Sequence, residues 1–188
     1  MLTVILAGGA SRRMGRDKAT LPWGGGTMLQ GLINRYSVLG PVAVSINTPG
    51  RFAFTGAVEL ADRFPDAGPL NGLVSAFTET DADEIFLTAA DLPFGDPALA
   101  RRLAALRGGA DACVLRRGVK GVEPLFAVYG RDCLAPATDA LERGTRSFFR
   151  MFERINVRWV SPEEVPEFEL EHILTNVNTQ EEYEACLK

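Results

Sequence analysis

The stretch LTVILAGGASRRMGRDKATL, residues 2–21, decides the fold. Leu2–Leu6 is a short apolar run rich in β-branched residues that ends at Gly8 and Gly9, the pattern of a buried strand feeding a turn. Similar runs recur at Val42–Ile46 and at residues 85–88. Between them, Leu29, Leu32, Ile33 and Tyr36, and then Leu70, Leu73, Val74 and Phe77, repeat at helical spacing. Strands alternating with helices predict an α/β architecture, a largely parallel sheet covered on both faces.

The remaining chain continues this alternation. Asp96 before Pro97 is a helix start, Leu99, Leu103 and Leu106 mark one face, and Gly108 and Gly109 end it. Further strands are predicted at 112–115, 125–129 and 157–160, with helices near 135–142 and 147–153. Thr179 and Glu182 have capping-box spacing, which predicts a last short helix. Residues 23–27, with Gly24, Gly25 and Gly26, are read as a flexible turn. Neither an internal repeat nor a linker divides the chain, so one domain over residues 1–188 is expected.

Composition narrows the chemistry. A chain of 188 residues that is 46% hydrophobic and 23% charged can bury roughly 70% of the surface its unfolded form exposes, enough for a core without disulfides or structural metal. Cys113, Cys133 and Cys186 form no CxxC pair and have no neighbouring histidine, which argues against a disulfide framework or a zinc site. Without an apolar run of about 20 residues, no membrane span is expected, and a cytoplasmic location is. The net charge of −4 argues against a general nucleic-acid surface. Yet Arg12, Arg13, Arg16 and Lys18 crowd the first glycine-bearing loop, a local cationic site on an acidic protein.

In that loop, glycines let backbone N–H groups approach a phosphate, and Arg13 and Lys18 add charge-assisted contacts. The spacing fits neither GxxxxGK[ST] nor GxGxxG, and the plain alternative is a tight turn beside a solvated charge run. The second candidate is TAADLPF, residues 88–94, at the end of a predicted strand. Parallel sheets bind ligands beyond the carboxyl ends of their strands, which places Asp91 where it can meet a ligand presented by the first loop. Oxygen-only Mg²⁺ sites use one or two carboxylates plus water and substrate phosphate, work suited to Asp91; the alternative is an ordinary turn-forming Asp.

LAGGASRRMGRDKATL, residues 6–21, resembles the signature LAGGxSxRMGxDKxxL of the molybdenum cofactor guanylyltransferases, the MobA-like nucleotidyltransferases. AGPLNG (67–72), AADLPF (89–94), EPLFAVY (123–129) and NVNTQEEY (176–183) resemble further family motifs in the same order. The resemblance implies a doubly wound, Rossmann-like nucleotidyltransferase fold and Mg²⁺-dependent transfer of GMP from GTP to molybdopterin, with release of pyrophosphate. It also implies roles for single residues. Leu6, Ala7, Gly8 and Gly9 would lie against the nucleotide, Lys18 would contact its phosphates, and Asn47 and Asp62 would hold the guanosine. Gly68 and Gly72 would shape the pocket, Asp91 would bind Mg²⁺, and Asn176 and Asn178 would lie on the pterin side. Taken singly, Asn47 and Asp62 equally suit turns, and Asn176 and Asn178 a helix start. His172 follows Glu169 and Glu171 and is expected to be exposed.

Attack by an anionic phosphate needs no strong general base, in keeping with a chain whose one histidine is remote from the motifs. Lys18, Arg13 and Asp91 are therefore the expected catalytic set, acting by alignment and charge neutralisation. GTP, molybdopterin and possible cofactor-assembly or acceptor-enzyme partners follow from the resemblance. Two rival functions remain open on sequence: a cytidylyl- or sugar-phosphate nucleotidyltransferase, and a noncatalytic GTP-binding partner in cofactor assembly. The LAGG form at residues 6–9 favours guanine over cytosine among relatives.

Overall fold

In the computed structural model, which describes residues 1–8, 17–64, 67–118 and 121–187, the apolar runs become the centre of one sheet. In chain order the elements are β1 (Leu2–Leu6), β2 (Pro22–Trp23), β3 (Gly26–Thr27), α1 (Met28–Tyr36), β4 (Val42–Ile46), β5 (Val58–Ala61), α2 (Pro69–Glu79) and β6 (Glu84–Ala89). There follow α3 (Pro97–Arg107), β7 (Ala112–Arg117), β8 (Gly121–Gly130), α4 (Leu134–Glu142), α5 (Phe148–Phe152), β9 (Val157–Val160), α6 (Leu170–Ile173) and α7 (Gln180–Cys186). Among the described residues seven strands join in the order β5-β4-β1-β6-β8-β7-β9. β5, β4, β1 and β6 run parallel; β8 alone is antiparallel to its neighbours, and β7 pairs in parallel with β9.

Because side chains alternate across a strand, the continuous apolar runs of β1, β4 and β6 require cover on both faces. Ile5, Val44 and Phe86 face α1 and α3 through Leu29, Leu32, Leu99 and Leu103. Val4, Ala43 and Leu87 face α2, α4 and α5 through Leu70, Leu73, Ala137 and Met151. The doubly wound arrangement expected from the sequence is thus present. Each strand end that matters for the site is fixed by these two layers.

The helix starts obey local chemistry. The Thr27 hydroxyl accepts from Gln30 N at 3.2 Å to open α1, and the Asp96 carboxylate accepts from Ala98 N at 2.7 Å ahead of Pro97 to open α3. Each such cap contributes about 1 kcal/mol. Thr179 and Glu182 form the expected reciprocal capping box at the start of α7. At the far end of α2, the Arg131 guanidinium donates to the carbonyls of Phe77, Thr80 and Ala82, satisfying acceptors that no intrahelical N–H reaches.

Two expectations change. Residues 23–27 are not a loose turn: β2 and β3 form a two-residue hairpin in which Gly24 and Gly25 have φ of 54° and 86°, the left-handed pair that a tight right-twisted hairpin requires. β8 begins four residues earlier than the sequence predicts, because pairing with β7 carries it through Gly121, Val122 and Glu123, where apolar periodicity is absent. Cys113 and Cys133 are buried, and desolvation pushes both thiols up to about 12, so they are packing residues rather than nucleophiles. Among the described residues no helix is long and apolar enough to cross a membrane.

Candidate functional site

Beyond the carboxyl ends of β1, β4, β5 and β6 the backbone is stitched together. Ala7 N donates to Ser45 O, Ala90 N to Leu6 O, and Asp62 N to Ile46 O, at 3.0, 3.0 and 2.9 Å. These bonds continue the sheet past its strands and draw Ala7, Asn47, Asp62 and Asp91 around one cavity of about 420 Å³. Leu6, Ala7 and Gly8 form one wall, Asp17, Lys18 and Ala19 another, and Ala89, Ala90 and Asp91 a third. Ser45, Asn47, Asp62, Gly68, Pro69 and Gly72 complete the lining, with Leu125 from β8. This volume suits a compact organic ligand.

Several walls need their residue types. At Gly72 a Cβ would come within 2.2 Å of Leu6 Cδ2 and 2.9 Å of Ser45 Oγ, so any larger residue would force these side chains aside where α2 packs on β1 and β4. Gly68 has φ of 75° and turns the chain into α2, whose amino terminus opens onto the cavity through Gly68 and Pro69. A helix start of this kind favours negative charge nearby. Asp62 is reached by the Ser45 hydroxyl at 3.4 Å. Residues after it are held by buried side chains of α2: Asn71 accepts from Phe64 N at 2.9 Å and Ser75 Oγ from Arg63 N at 3.0 Å.

The charged groups sit where strand ends and loops meet. Asp17 opens the short turn Lys18–Thr20, its carboxylate accepting from Ala19 N at 3.2 Å. The Lys18 ammonium donates to Asn178 Oδ1 at 2.8 Å across 160 residues of sequence. Next to Asn178, Val177 N donates to the backbone carbonyl of Asp91 at 2.9 Å. Consecutive residues of one segment therefore brace both the lysine and the aspartate. That segment is itself firm: Val177 is buried with Leu21, Met28 and Tyr183, and the Glu182 carboxylate accepts from Asn178 N and Thr179 N.

Burial pushes the Asp91 carboxyl above the ordinary carboxylate range, by more than the Lys18 cation and a backbone hydrogen bond lower it. Asp91 Oδ1 is buried with no hydrogen-bond partner among the described residues. An orphaned carboxylate oxygen beside a lysine, in a cavity open to ligand, fits a hard cation that takes its other oxygens from substrate and water. No group of three or more His, Cys, Asp or Glu forms a protein cage for a metal among the described residues, so a cation here would depend on ligand oxygens. Arg35 of α1 holds the loop behind Asp91 by donating to the carbonyls of Pro93 and Gly95.

Of the residues singled out in the sequence, Leu6, Ala7, Gly8, Lys18, Asn47, Asp62, Gly68, Gly72 and Asp91 all line this cavity. Gly9 and Arg13 lie outside the described residues. Asn178 meets Lys18, whereas Asn176 is exposed and its amide reaches only Leu174 O, at 3.5 Å. His172 is exposed as expected, its ring tilted at 35° to that of Phe94 with the centroids 4.3 Å apart. Sequence reading missed Ser45, Asp17 and Arg51. Ser45 carried a signal, being a polar residue in the otherwise apolar run VAVSI; Arg51, a lone cation in a loop, carried none.

A family model described as "MobA-like NTP transferase domain" matches residues 3–158. The chain is 32% identical over its full length to a "Probable molybdenum cofactor guanylyltransferase" of Carboxydothermus hydrogenoformans, covering 95% of that protein. It is 33% identical over 96% of its length to a protein of the same description from Methanosarcina mazei, covering 87% of it. Among solved structures, molybdopterin-guanine dinucleotide biosynthesis protein A from Archaeoglobus fulgidus superimposes with a TM-score of 0.85 over 98% of this chain and 96% of that one, at 23% identity, a likeness of fold. The segment bearing Asn176 and Asn178 follows the span matched by the family model but falls within the full-length match to the first of these relatives.

Proposed function

We propose, from the premise that the chain belongs to the MobA-like NTP transferase family, that this nucleotidyltransferase transfers GMP from GTP to the terminal phosphate of molybdopterin. The observation that carries this reading is the meeting of Lys18, the amino terminus of α2 and the orphaned Asp91 carboxylate around one cavity. The curated relatives described as molybdenum cofactor guanylyltransferases support the choice of nucleotide and acceptor.

An oxygen of the acceptor's terminal phosphate attacks the α-phosphorus of GTP; the bond from that phosphorus to the β-phosphate oxygen breaks, and pyrophosphate leaves. The nucleophile is already anionic, so no side chain has to remove a proton. What remains is to align two anions and offset their repulsion. Lys18 supplies a cation at the phosphates, oriented by Asn178. The start of α2 and the backbone at Gly8 turn partial positive charge toward the same space. Asn47 and Asp62, which line the same cavity, hold the guanosine in this reading. Asp91 would hold Mg²⁺, which when bound neutralises charge on the triphosphate and its leaving group. Arg13 completes the cationic set in this reading.

The test is pyrophosphate release measured with purified molybdopterin, Mg²⁺ and each nucleoside triphosphate in turn. Release with GTP above the other nucleotides, lost on chelation of Mg²⁺, is expected. Preference for CTP, or for a sugar phosphate as acceptor, would overturn the guanylyl assignment. Tight GTP binding without any product would point instead to a noncatalytic carrier.

A further inference from the structure

Arg51 follows β4 in a turn that the neighbouring strand holds in place: the Glu59 carboxylate of β5 accepts from Gly50 N and Phe52 N at 2.6 and 2.5 Å. Its guanidinium lies 5.1 Å from the ring centre of Phe52, which is fully buried. From that seat the side chain spans two walls of the cavity. Nη2 pairs with Asp17 Oδ2 at 2.7 Å, and Nη1 donates to Asn47 Oδ1 at 3.1 Å.

The second contact has a chemical consequence. A guanidinium carries donors and no acceptor, so the amide atom that faces it must be the oxygen of Asn47. An asparagine with both halves available is an adenine reader: its NH₂ donates to N7 while its carbonyl accepts from the 6-amino group. With its carbonyl turned to Arg51, Asn47 directs its NH₂ away from the guanidinium, so a base in the cavity meets the donor rather than the paired donor and acceptor. That donor matches the 6-oxo and N7 acceptors of guanine and offers nothing to the 6-amino group of adenine.

We infer that Arg51 determines base selectivity: by occupying Asn47 Oδ1 it fixes the amide so that the cavity selects a 6-oxo purine over a 6-amino purine. This rests on the nucleotide reading of the cavity proposed above. Arg51 is a positioning residue, acting through Asn47. Its other contact, on Asp17, steadies the turn that carries Lys18 and so bears on phosphates common to every nucleotide. The ratio of affinities therefore isolates the selectivity role from a general structural one.

Equilibrium binding of GTP, ITP and ATP to the full chain in the presence of Mg²⁺, measured by calorimetry, tests the inference. The wild-type chain is expected to bind GTP and ITP more tightly than ATP, since both carry the 6-oxo group. Arg51→Met, which keeps length and removes the donors, should lower the GTP/ATP and ITP/ATP affinity ratios roughly tenfold. Asn47→Asp, which presents only acceptors, should lower both ratios further. Equal weakening of all three nucleotides by Arg51→Met, or no change, would overturn the inference while leaving the guanylyl reading intact. A wild-type chain with no preference for 6-oxo purines would overturn both.

Discussion

Adding one methyl group at Gly72 should disturb stability and ligand binding together. A Cβ at that position falls 2.2 Å from Leu6 Cδ2, 2.9 Å from Ser45 Oγ and 3.4 Å from Ser45 Cβ. The leucine tip can swing, but the space open to it is the cavity that Leu6 lines. Ser45 is 3% exposed and its hydroxyl is directed at Asp62, so it has little room. Overpacking of this kind costs about 1–3 kcal/mol, partly offset by the roughly 1 kcal/mol that alanine gains over glycine inside a helix. A net loss of up to about 2 kcal/mol corresponds, for a chain of this size, to a fall in Tm of up to roughly 8 °C. Thermal melting followed by circular dichroism measures the first effect for Gly72→Ala, and GTP titration the second, with affinity reduced as Leu6 is driven inward. Leu6→Val in the same background removes the clashing carbon, so the double variant should be more stable than the sum of the single effects. A Gly72→Ala chain that melts at or above the wild-type temperature and binds GTP normally would refute the close-packing argument.

Two further outcomes follow from the charged groups. Burial raises the Asp91 pKa above its unfolded value, so the native state holds that proton more tightly; the associated stability is fully present below the unfolded pKa and lost as pH rises through the folded one. Without Mg²⁺, Asp91→Asn should therefore melt above wild type in mildly alkaline buffer, with the difference shrinking on acidification, while Mg²⁺ and GTP together raise only the wild-type Tm. Equal melting at every pH would remove the desolvation argument. Asn178→Ala removes the acceptor that orients Lys18, and should weaken GTP binding about tenfold without any acceptor present, adding little in a Lys18→Ala background. Unchanged GTP affinity in Asn178→Ala would confine that residue to the acceptor side.

Where apolar residues dominate a strand, as in β1, β4 and β6, the fold was legible, because burial on both faces leaves a direct mark on the sequence. β5 left none: it is an edge strand whose Val58 is 63% exposed, so neither period nor hydrophobicity announces it. The hairpin of β2 and β3 is too short for periodicity and showed only through Gly24 and Gly25. Nothing in β8 reveals that it runs antiparallel, a property of where the chain re-enters the sheet rather than of its residues.

Site residues divide in the same way. Lys18 and Asp91 were readable because each follows a strand in a distinctive loop, and strand ends in parallel sheets converge. The bond from Lys18 to Asn178 and the span of Arg51 from Asp17 to Asn47 depend on tertiary approach between segments that share no motif. Asn178 was expected on the acceptor side, and its contact with Lys18 ties it to the cavity wall formed by Asp17, Lys18 and Ala19.

The most direct measurement follows the phosphorus atoms. Wild-type chain is incubated with Mg²⁺, molybdopterin and GTP labelled at either the α or the γ position, and products are separated. Attack at the α-phosphorus requires the α label to appear in the pterin–guanine dinucleotide and the γ label in pyrophosphate, with both fluxes falling sharply in Asp91→Ala and Lys18→Ala. Transfer of the γ label to the pterin, or its release as inorganic phosphate with the α label left in GDP, would contradict nucleotidyl transfer at this site.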